Sequence, residues 1–80
     1  MKDKTKLIAS SAAYILGMKP KVEIKGTPSQ IKNFKEVLDA SRNLYAVLQE
    51  GSNFSVESAL ERKKTAAQKF GKEFGWSWPL

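Results

Sequence analysis

Hydrophobic and polar positions along the chain predict three helices. Residues 5–16 place apolar side chains on every side of a helix, so this short helix, within an apolar N-terminal segment of residues 1–18, is expected to be buried on every side. Residues 28–50 spread apolar positions over an arc of about 200°, which is wider than one packed neighbour requires. That helix is therefore expected to contact two elements, from this chain or from another copy. A further apolar stripe predicts a third helix over residues 55–72.

The middle helix is bounded by recognisable capping signals. Thr27 is a favourable N-cap, Pro28 suits the first helical position, and Gln30 completes a capping box with Thr27. Gly51 follows the last residue of the helix, where a C-cap glycine is common. These signals make residues 28–50 the most sharply bounded element of the predicted fold.

Between the first two helices, an alternating pattern predicts a short strand over residues 20–26. Val22 and Ile24 alternate with charged neighbours, as in a strand with one buried face. A strand does not satisfy its backbone alone, so it needs a partner. That partner is either the same strand of a second copy, or residues 4–9 or 53–56 of the same chain.

This order of elements resembles the ribbon–helix–helix DNA-binding family. The likeness covers about residues 20–70 and consists of a strand with outward polar residues, a capped helix, a Gly-Ser loop and a second helix. In that family two chains pair their strands antiparallel and place the ribbon in the major groove. The resemblance implies that the strand pairs with its own copy and that Lys21, Glu23 and Lys25 read the bases.

Length and composition describe one small domain, residues 1–80, with little to stabilise it. A chain this short buries only about 60% of the surface that its unfolded form exposes. It has no cysteine for a disulfide, and oligomerisation is a common remedy in such cases. We therefore predict a mainly α (α+β) fold with three helices and one short strand or hairpin, assembled as a homo-oligomer.

The composition argues against an enzyme. Cysteine and histidine are both absent, which excludes thiol nucleophiles, imidazole bases and the usual zinc sites. Two pairs of carboxylates are closely spaced: Glu36 with Asp39, and Glu57 with Glu61. Both pairs fall on polar helix faces, where we expect them to be solvated and not enclosed in a catalytic site. We expect no catalytic residue, no metal ion and no cofactor.

The charge balance points to a polyanion as ligand. Fourteen Lys and Arg against eight Asp and Glu give a net charge of +6, concentrated toward the N-terminus. We predict a small basic binding protein that contacts nucleic acid, or another polyanion, through a lysine-rich N-terminal and strand surface. The simpler interpretation is a solvated surface that aids solubility. The predicted contact residues are Lys2, Lys4, Lys6, Lys19, Lys21, Lys25, Lys63 and Lys64.

Lys63 falls in the middle of the apolar stripe of the third helix. The favoured interpretation is that its side chain extends past Leu60 and Ala67 to water. The functional alternative places it at a seam between subunits, in a pocket for a phosphorylated small molecule.

The aromatic tail, residues 73–80, contains Phe74, Trp76 and Trp78. Their favoured role is to close the small core or an oligomer interface. The alternative function is a protein–protein interaction module, such as a small viral (phage) or bacterial inhibitor or assembly factor, that binds its target through these three residues.

The N-terminal segment was also tested as a targeting signal. Three lysines precede a 12-residue apolar stretch, but Asp3 lies among them and two serines interrupt the stretch. The stretch is too short to span a bilayer, so we predict a cytoplasmic protein that does not enter a membrane.

Overall fold

A computed structural model describes residues 2–22, 24–51 and 53–80, with side chains described for residues 5–22, 24–51 and 55–80. Over the described residues the chain forms three helices: α1 (Lys2–Ile15), α2 (Pro28–Glu50) and α3 (Asn53–Phe74). The prediction of a mainly helical fold with three helices is confirmed. The bounds of α2 are those predicted, whereas α3 extends two residues further at each end.

The caps of α2 form as the sequence predicts. The Gln30 N–H donates to Thr27 Oγ1 at 3.1 Å, and the Thr27 N–H donates to Gln30 Oε1 at 2.9 Å. At the other end Gly51 has a φ of 75° and donates its N–H to the Val47 carbonyl at 3.1 Å. Both helix termini therefore have partners for backbone groups that a helix leaves unpaired.

α2 and α3 form an antiparallel hairpin. Ser29, near the start of α2, contacts Glu73, near the end of α3, and Glu36 pairs with Arg62 further along. The core cluster is buried mainly between these helices and consists of Phe34, Val37, Leu38, Ala40, Ala66 and Phe70. At 1.5 Å per residue α2 is about 34 Å long, close to the 36 Å long axis of the molecule. The two ends of α2 are thus the two ends of the protein.

α1 packs on the side of α2 through its inner face. The Tyr14 hydroxyl donates to Asp39 Oδ1 at 2.8 Å, and the Arg42 guanidinium lies 4.5 Å from the centroid of the Tyr14 ring. Leu7 and Ile15 pack against the core cluster. α2 therefore contacts two elements, as its wide apolar arc predicts, and both belong to the same chain.

The expectation that α1 is buried on every side is wrong. Ser11 is fully buried, but Ala9 is exposed and Leu16, just past the helix, is 56% exposed. Among the described residues α1 and α3 do not approach each other closely, so only one side of α1 is covered. The apolar side chains on the outer side of α1 are therefore not a sign that this side is buried.

The chain turns back after α3 and lays its tail, residues 75–80, on the α2–α3 hairpin. Gly75 makes the turn, with a φ of 77° that favours glycine. Trp78 Nε1–H then donates to the Ser41 hydroxyl on α2 at 2.9 Å. Lys63 Nζ on α3 donates to the main-chain oxygen of Leu80 at 2.6 Å. The tail is therefore tied to both helices.

The predicted strand is wrong. Residues 20–22 and 24–26 form no strand, and Glu23 lies outside the described residues. Val22 and Ile24 do pack against the core cluster, which explains the alternating pattern. Both proposed partner segments, residues 4–9 and 53–56, are helical and lie in α1 and α3. A loop with one buried face gives the same period-2 signal, and the strand implied by the ribbon–helix–helix resemblance is not found in the described residues.

Candidate functional site

The start of α2 and the end of α3 meet at one end of the molecule. The Ser29 hydroxyl donates to Glu73 Oε1 at 2.6 Å, and the Gln30 side-chain amide donates to the Glu73 main-chain oxygen at 3.4 Å. The loop that precedes α2 leads into the same region, because Thr27 caps the helix there. We call the exposed lysines within a few residues of this contact the basic end: Lys25, Lys32, Lys69 and Lys72.

The turn half of the hairpin carries the opposite charge. Residues 43–61 contain Glu50, Glu57 and Glu61 but no lysine or arginine. The turn after α2 lies about 34 Å from the start of that helix, whereas charges in physiological salt are screened over about 8 Å. A ligand at the basic end is therefore little affected by Glu50 and Glu57, whereas Glu61 lines the same depression as Lys69.

The lysines predicted from the sequence are not all in one place. Lys6 on α1 and Lys64 on α3 are exposed, but neither belongs to the basic end. Lys63 is half-buried and bonded to the tail. The side chains of Lys2 and Lys4 lie outside the described residues. In the segment before α2, Lys19, Lys21 and Lys25 are all exposed, and their contact with nucleic acid stays a prediction.

Sequence reasoning missed three lysines of the basic end: Lys32, Lys69 and Lys72. They lie on the polar faces of the two long helices, where charged residues are ordinary. Only the antiparallel pairing of α2 with α3 brings residues 69–73 next to residues 25–32. The capping signals at both ends of α2 predict a turn after that helix. Antiparallel pairing of α2 with α3 across this turn is the signal that could have identified the three lysines.

Lys63 is occupied by the tail and does not extend to water as expected. Its Nζ donates to the Leu80 main-chain oxygen at 2.6 Å, and its side chain is half-buried beside the apolar stripe. The break in the stripe is thus explained by an oxygen acceptor that residues 75–80 bring to that position. Lys63 has a structural role within one chain, and the phosphorylated ligand between subunits stays a prediction.

The three aromatic residues predicted to bind a partner lie against the core. Stacked rings of Phe74 and Phe70 have centroids 4.4 Å apart, and Trp76 meets Phe70 edge-on at 4.9 Å. Trp78 meets Phe70 at 5.1 Å and Phe34 at 5.9 Å. All three predicted residues are half-buried, so binding through them would require part of this cluster to open. A partner-binding role for Phe74, Trp76 and Trp78 stays a prediction.

A shallow depression of about 470 Å³ lies on the other side of the hairpin. Its rim includes the ion pair between Arg62 Nε and Glu36 Oε1 at 3.1 Å, with both side chains nearly half exposed. Glu61 and Lys69 also line it. Acid–base catalysis by a carboxylate needs an enclosed environment that shifts its pKa. An open depression with charges of both signs does not provide one.

Membrane-spanning helices and metal-binding clusters are both absent from the described residues. No helix there is both long and apolar enough to cross a membrane. Across the same part of the chain, histidine, cysteine and carboxylate side chains form no group of three or more that could hold a metal ion. Among known proteins, the chain matches no family model, no curated protein and no solved structure.

Proposed function

We propose that this chain is a binding protein whose ligand is nucleic acid, and that it contacts phosphates through the basic end. The observation that supports this proposal is the convergence of lysines from three separate stretches of chain at one end of the hairpin. Residues 25–32 and 69–73 together carry four lysines against one glutamate, whereas the charged residues of the segment 43–61 are all carboxylates. Such a one-sided distribution attracts and orients a polyanion.

The local chemistry at the basic end favours phosphate. Each lysine ammonium is a hydrated point charge on a flexible stem, which adapts to phosphates at variable spacing. The start of α2 adds the positive end of the helix dipole. Glu73, a carboxylate at the basic end, accepts the Ser29 hydroxyl, so it is held toward α2.

Contacts of this kind give affinity without reading the sequence of bases. Lysines that bind phosphates position a protein on nucleic acid, whereas base recognition needs side chains in a groove. The described residues at the basic end belong to helical ends and a loop, and they supply no ribbon for the major groove. We therefore expect similar affinity for duplexes of different sequence, and an affinity that falls steeply as salt rises.

The first test is fluorescence anisotropy of a labelled duplex and a labelled single strand over a salt series. The proposal expects binding at low salt, with a slope of log affinity against log salt near −0.9 per phosphate contacted on duplex DNA. No binding at low salt would refute it.

A matched pair of double variants then locates the surface. Lys25→Glu/Lys72→Glu reverses two charges at the basic end, and Lys6→Glu/Lys64→Glu makes the same change elsewhere on exposed positions. The first variant should bind at least tenfold more weakly and lose about two units of salt slope, because two phosphate contacts disappear. The second should lose less, through net charge alone. Equal losses would show that overall charge, and not the basic end, is responsible.

A further inference from the structure

The C-terminal end of α1 exposes two large apolar side chains to solvent. Leu16 is 56% exposed and Met18 is 61% exposed, and only Gly17 lies between them along the chain. Leu16 follows Ala9 by seven residues, or about two helical turns, so the exposed Ala9 lies on the same side of α1. We call Ala9, Leu16 and Met18 the α1 apolar surface. Neighbouring apolar side chains of this kind, unlike a single exposed leucine, are typical of an interaction site.

Hydrogen bonds fix the backbone beneath this surface. The Gly17 N–H donates to the Tyr14 carbonyl at 3.0 Å, and the Met18 N–H donates to the Ala13 carbonyl at 3.1 Å. Together with the φ of 97° at Gly17, these two bonds form the Schellman motif that commonly ends a helix. Two of the carbonyls that a helix leaves unpaired at its end therefore have partners within the chain. This pairing lowers the cost of placing the end of α1 in a medium that contains little water.

Exposed lysines border the α1 apolar surface on both sides. Lys6 lies one turn before Ala9 on the same helix, and Lys19 directly follows Met18. Residues 5–22, whose side chains are all described, contain three lysines and no carboxylate. The surface is thus apolar between two positive charges.

The carboxylate that contacts α1 lies on another side of the helix. Asp39 on α2 accepts the Tyr14 hydroxyl at 2.8 Å. Tyr14 and Leu16 are two positions apart, or about 200° around the helix, so Asp39 is on the side away from Leu16. The side chains of Glu23 and of residues 2–4 lie outside the described residues. The charge next to the α1 apolar surface is therefore assigned from Lys6 and Lys19 alone.

We propose that the α1 apolar surface binds the interface of a lipid bilayer that carries anionic headgroups. Leu16 and Met18 enter the apolar boundary of the bilayer, and Lys6 and Lys19 meet the headgroups. A nucleic acid would attract the same lysines but would leave the leucine and methionine without an apolar environment. The expectation that the chain does not enter a membrane rests on the length needed to span a bilayer, and a surface contact does not need that length.

Cosedimentation of the full chain with lipid vesicles tests this contact without any nucleic acid. Phosphatidylcholine vesicles with about 30% phosphatidylserine should bind the chain at low salt, and vesicles of phosphatidylcholine alone should bind at least about tenfold more weakly. No binding to the anionic vesicles, or equal binding to both kinds, would overturn the proposal. Either result is independent of the outcome for nucleic acid.

A matched pair of double variants separates apolar insertion from attraction by charge. Leu16→Ser/Met18→Ser removes the large apolar side chains and keeps the net charge. Leu48→Ser/Leu60→Ser makes the same kind of change at leucines that are 55% and 51% exposed. The first variant should bind anionic vesicles at least about tenfold more weakly, because binding scales with buried apolar area, and the second should bind like the parent chain. An unaffected first variant would show that lysines alone attract the vesicle, and equal losses would show that the contact lies elsewhere. Both results would overturn the proposal.

A dye on a single cysteine reports insertion directly. The chain has no cysteine, so Met18→Cys and Leu48→Cys each create one labelling site. The emission of an environment-sensitive dye should shift to shorter wavelengths on anionic vesicles at residue 18 but not at residue 48. The same response at both positions would overturn the proposal. Circular dichroism checks that each variant is folded, and Met18→Ser alone, which lies outside the helix, should still weaken binding about threefold.

A second copy of the chain is the rival occupant of the α1 apolar surface. Sedimentation velocity without vesicles compares the parent chain with Leu16→Ser/Met18→Ser. The two should have the same mass in solution. A parent oligomer that this variant converts to monomers would show that another copy covers the surface, and would overturn the lipid contact.

Discussion

Trp78 holds the tail on the hairpin, and its replacement by phenylalanine tests that contact. The indole Nε1–H donates to the Ser41 hydroxyl at 2.9 Å, and the ring meets Phe34 and Phe70 at 5.9 and 5.1 Å. Phenylalanine keeps an aromatic ring at this position but has no donor. The Ser41 side chain, only 3% exposed, then loses its hydrogen-bond partner within the protein.

The expected loss in the free energy of unfolding is about 1–3 kcal/mol, the usual cost of leaving a buried polar group unpaired. This is a large fraction of the about 4–12 kcal/mol expected for a chain of 80 residues. Ser41→Ala alone should cost less than about 1 kcal/mol, because the half-buried indole N–H reaches water and alanine favours a helix. In the Trp78→Phe protein the same change should restore about 1 kcal/mol, since it removes the unpaired hydroxyl.

Urea unfolding of the four proteins in this double-mutant cycle measures the coupling. Far-UV circular dichroism reports the helices, and the fluorescence of Trp76, which every variant keeps, reports the tail. Equal slopes of unfolding free energy against urea would show that the variants unfold from equally compact states. The midpoints then give the four free energies directly.

Additive effects, within about 0.3 kcal/mol, would refute the hydrogen bond as a stabilising contact. An unchanged midpoint for Trp78→Phe would show that the tail is not docked in solution. In that case Phe74, Trp76 and Trp78 would be free to serve as the partner-binding surface that the sequence suggests.

Further predictions concern single side chains in the helices. Ser11 is fully buried and its hydroxyl has no hydrogen-bond partner among the described residues, so Ser11→Ala should raise the free energy of unfolding by about 1 kcal/mol. A lower urea midpoint for that variant would contradict the burial of Ser11 without a hydrogen-bond partner. Gly51→Ala should cost about 1 kcal/mol, because alanine rarely adopts a φ of 75° although nothing lies near its Cβ. Gly71→Ala should instead gain about 0.5–1 kcal/mol, since its Cβ meets only the Trp76 carbonyl at 3.9 Å within a helix. The midpoints of thermal unfolding compare the two glycine variants. Equal shifts in midpoint would contradict the left-handed conformation of Gly51.

The sequence predicted the bounds of α2 well, because the features that start and end a helix lie within a few residues of each other. The capping box of Thr27 and Gln30 and the αL glycine at Gly51 involve residues a few positions apart. The alternation of Val22 and Ile24 with charged residues led to the wrong prediction of a strand. A period of two indicates that one face of the segment is buried, but it does not show that the backbone has a pairing partner. Here the core cluster covers that face, and residues 20–22 and 24–26 form no strand.

The candidate site depended on contacts between distant parts of the chain. The lysines before α2 are visible as a basic segment, whereas Lys69 and Lys72 join them only through the contact of Ser29 with Glu73. The role of Lys63 was equally hidden, because its acceptor belongs to a residue 17 positions away. A pattern along the chain shows which face of a helix is polar but not which end of another helix lies beside it.

The one-sided attachment of α1 has a consequence for the motions of the chain. α1 rests on α2 alone, whereas α2 and α3 share the core cluster and the tail. Opening of α1 therefore breaks few contacts, and its amide hydrogens should exchange with solvent well before those in the middle of the hairpin. Each such opening uncovers the side of α2 near Leu38 without unfolding the hairpin. The chain should thus visit a two-helix state as its lowest excited form, and refolding should end with the docking of α1.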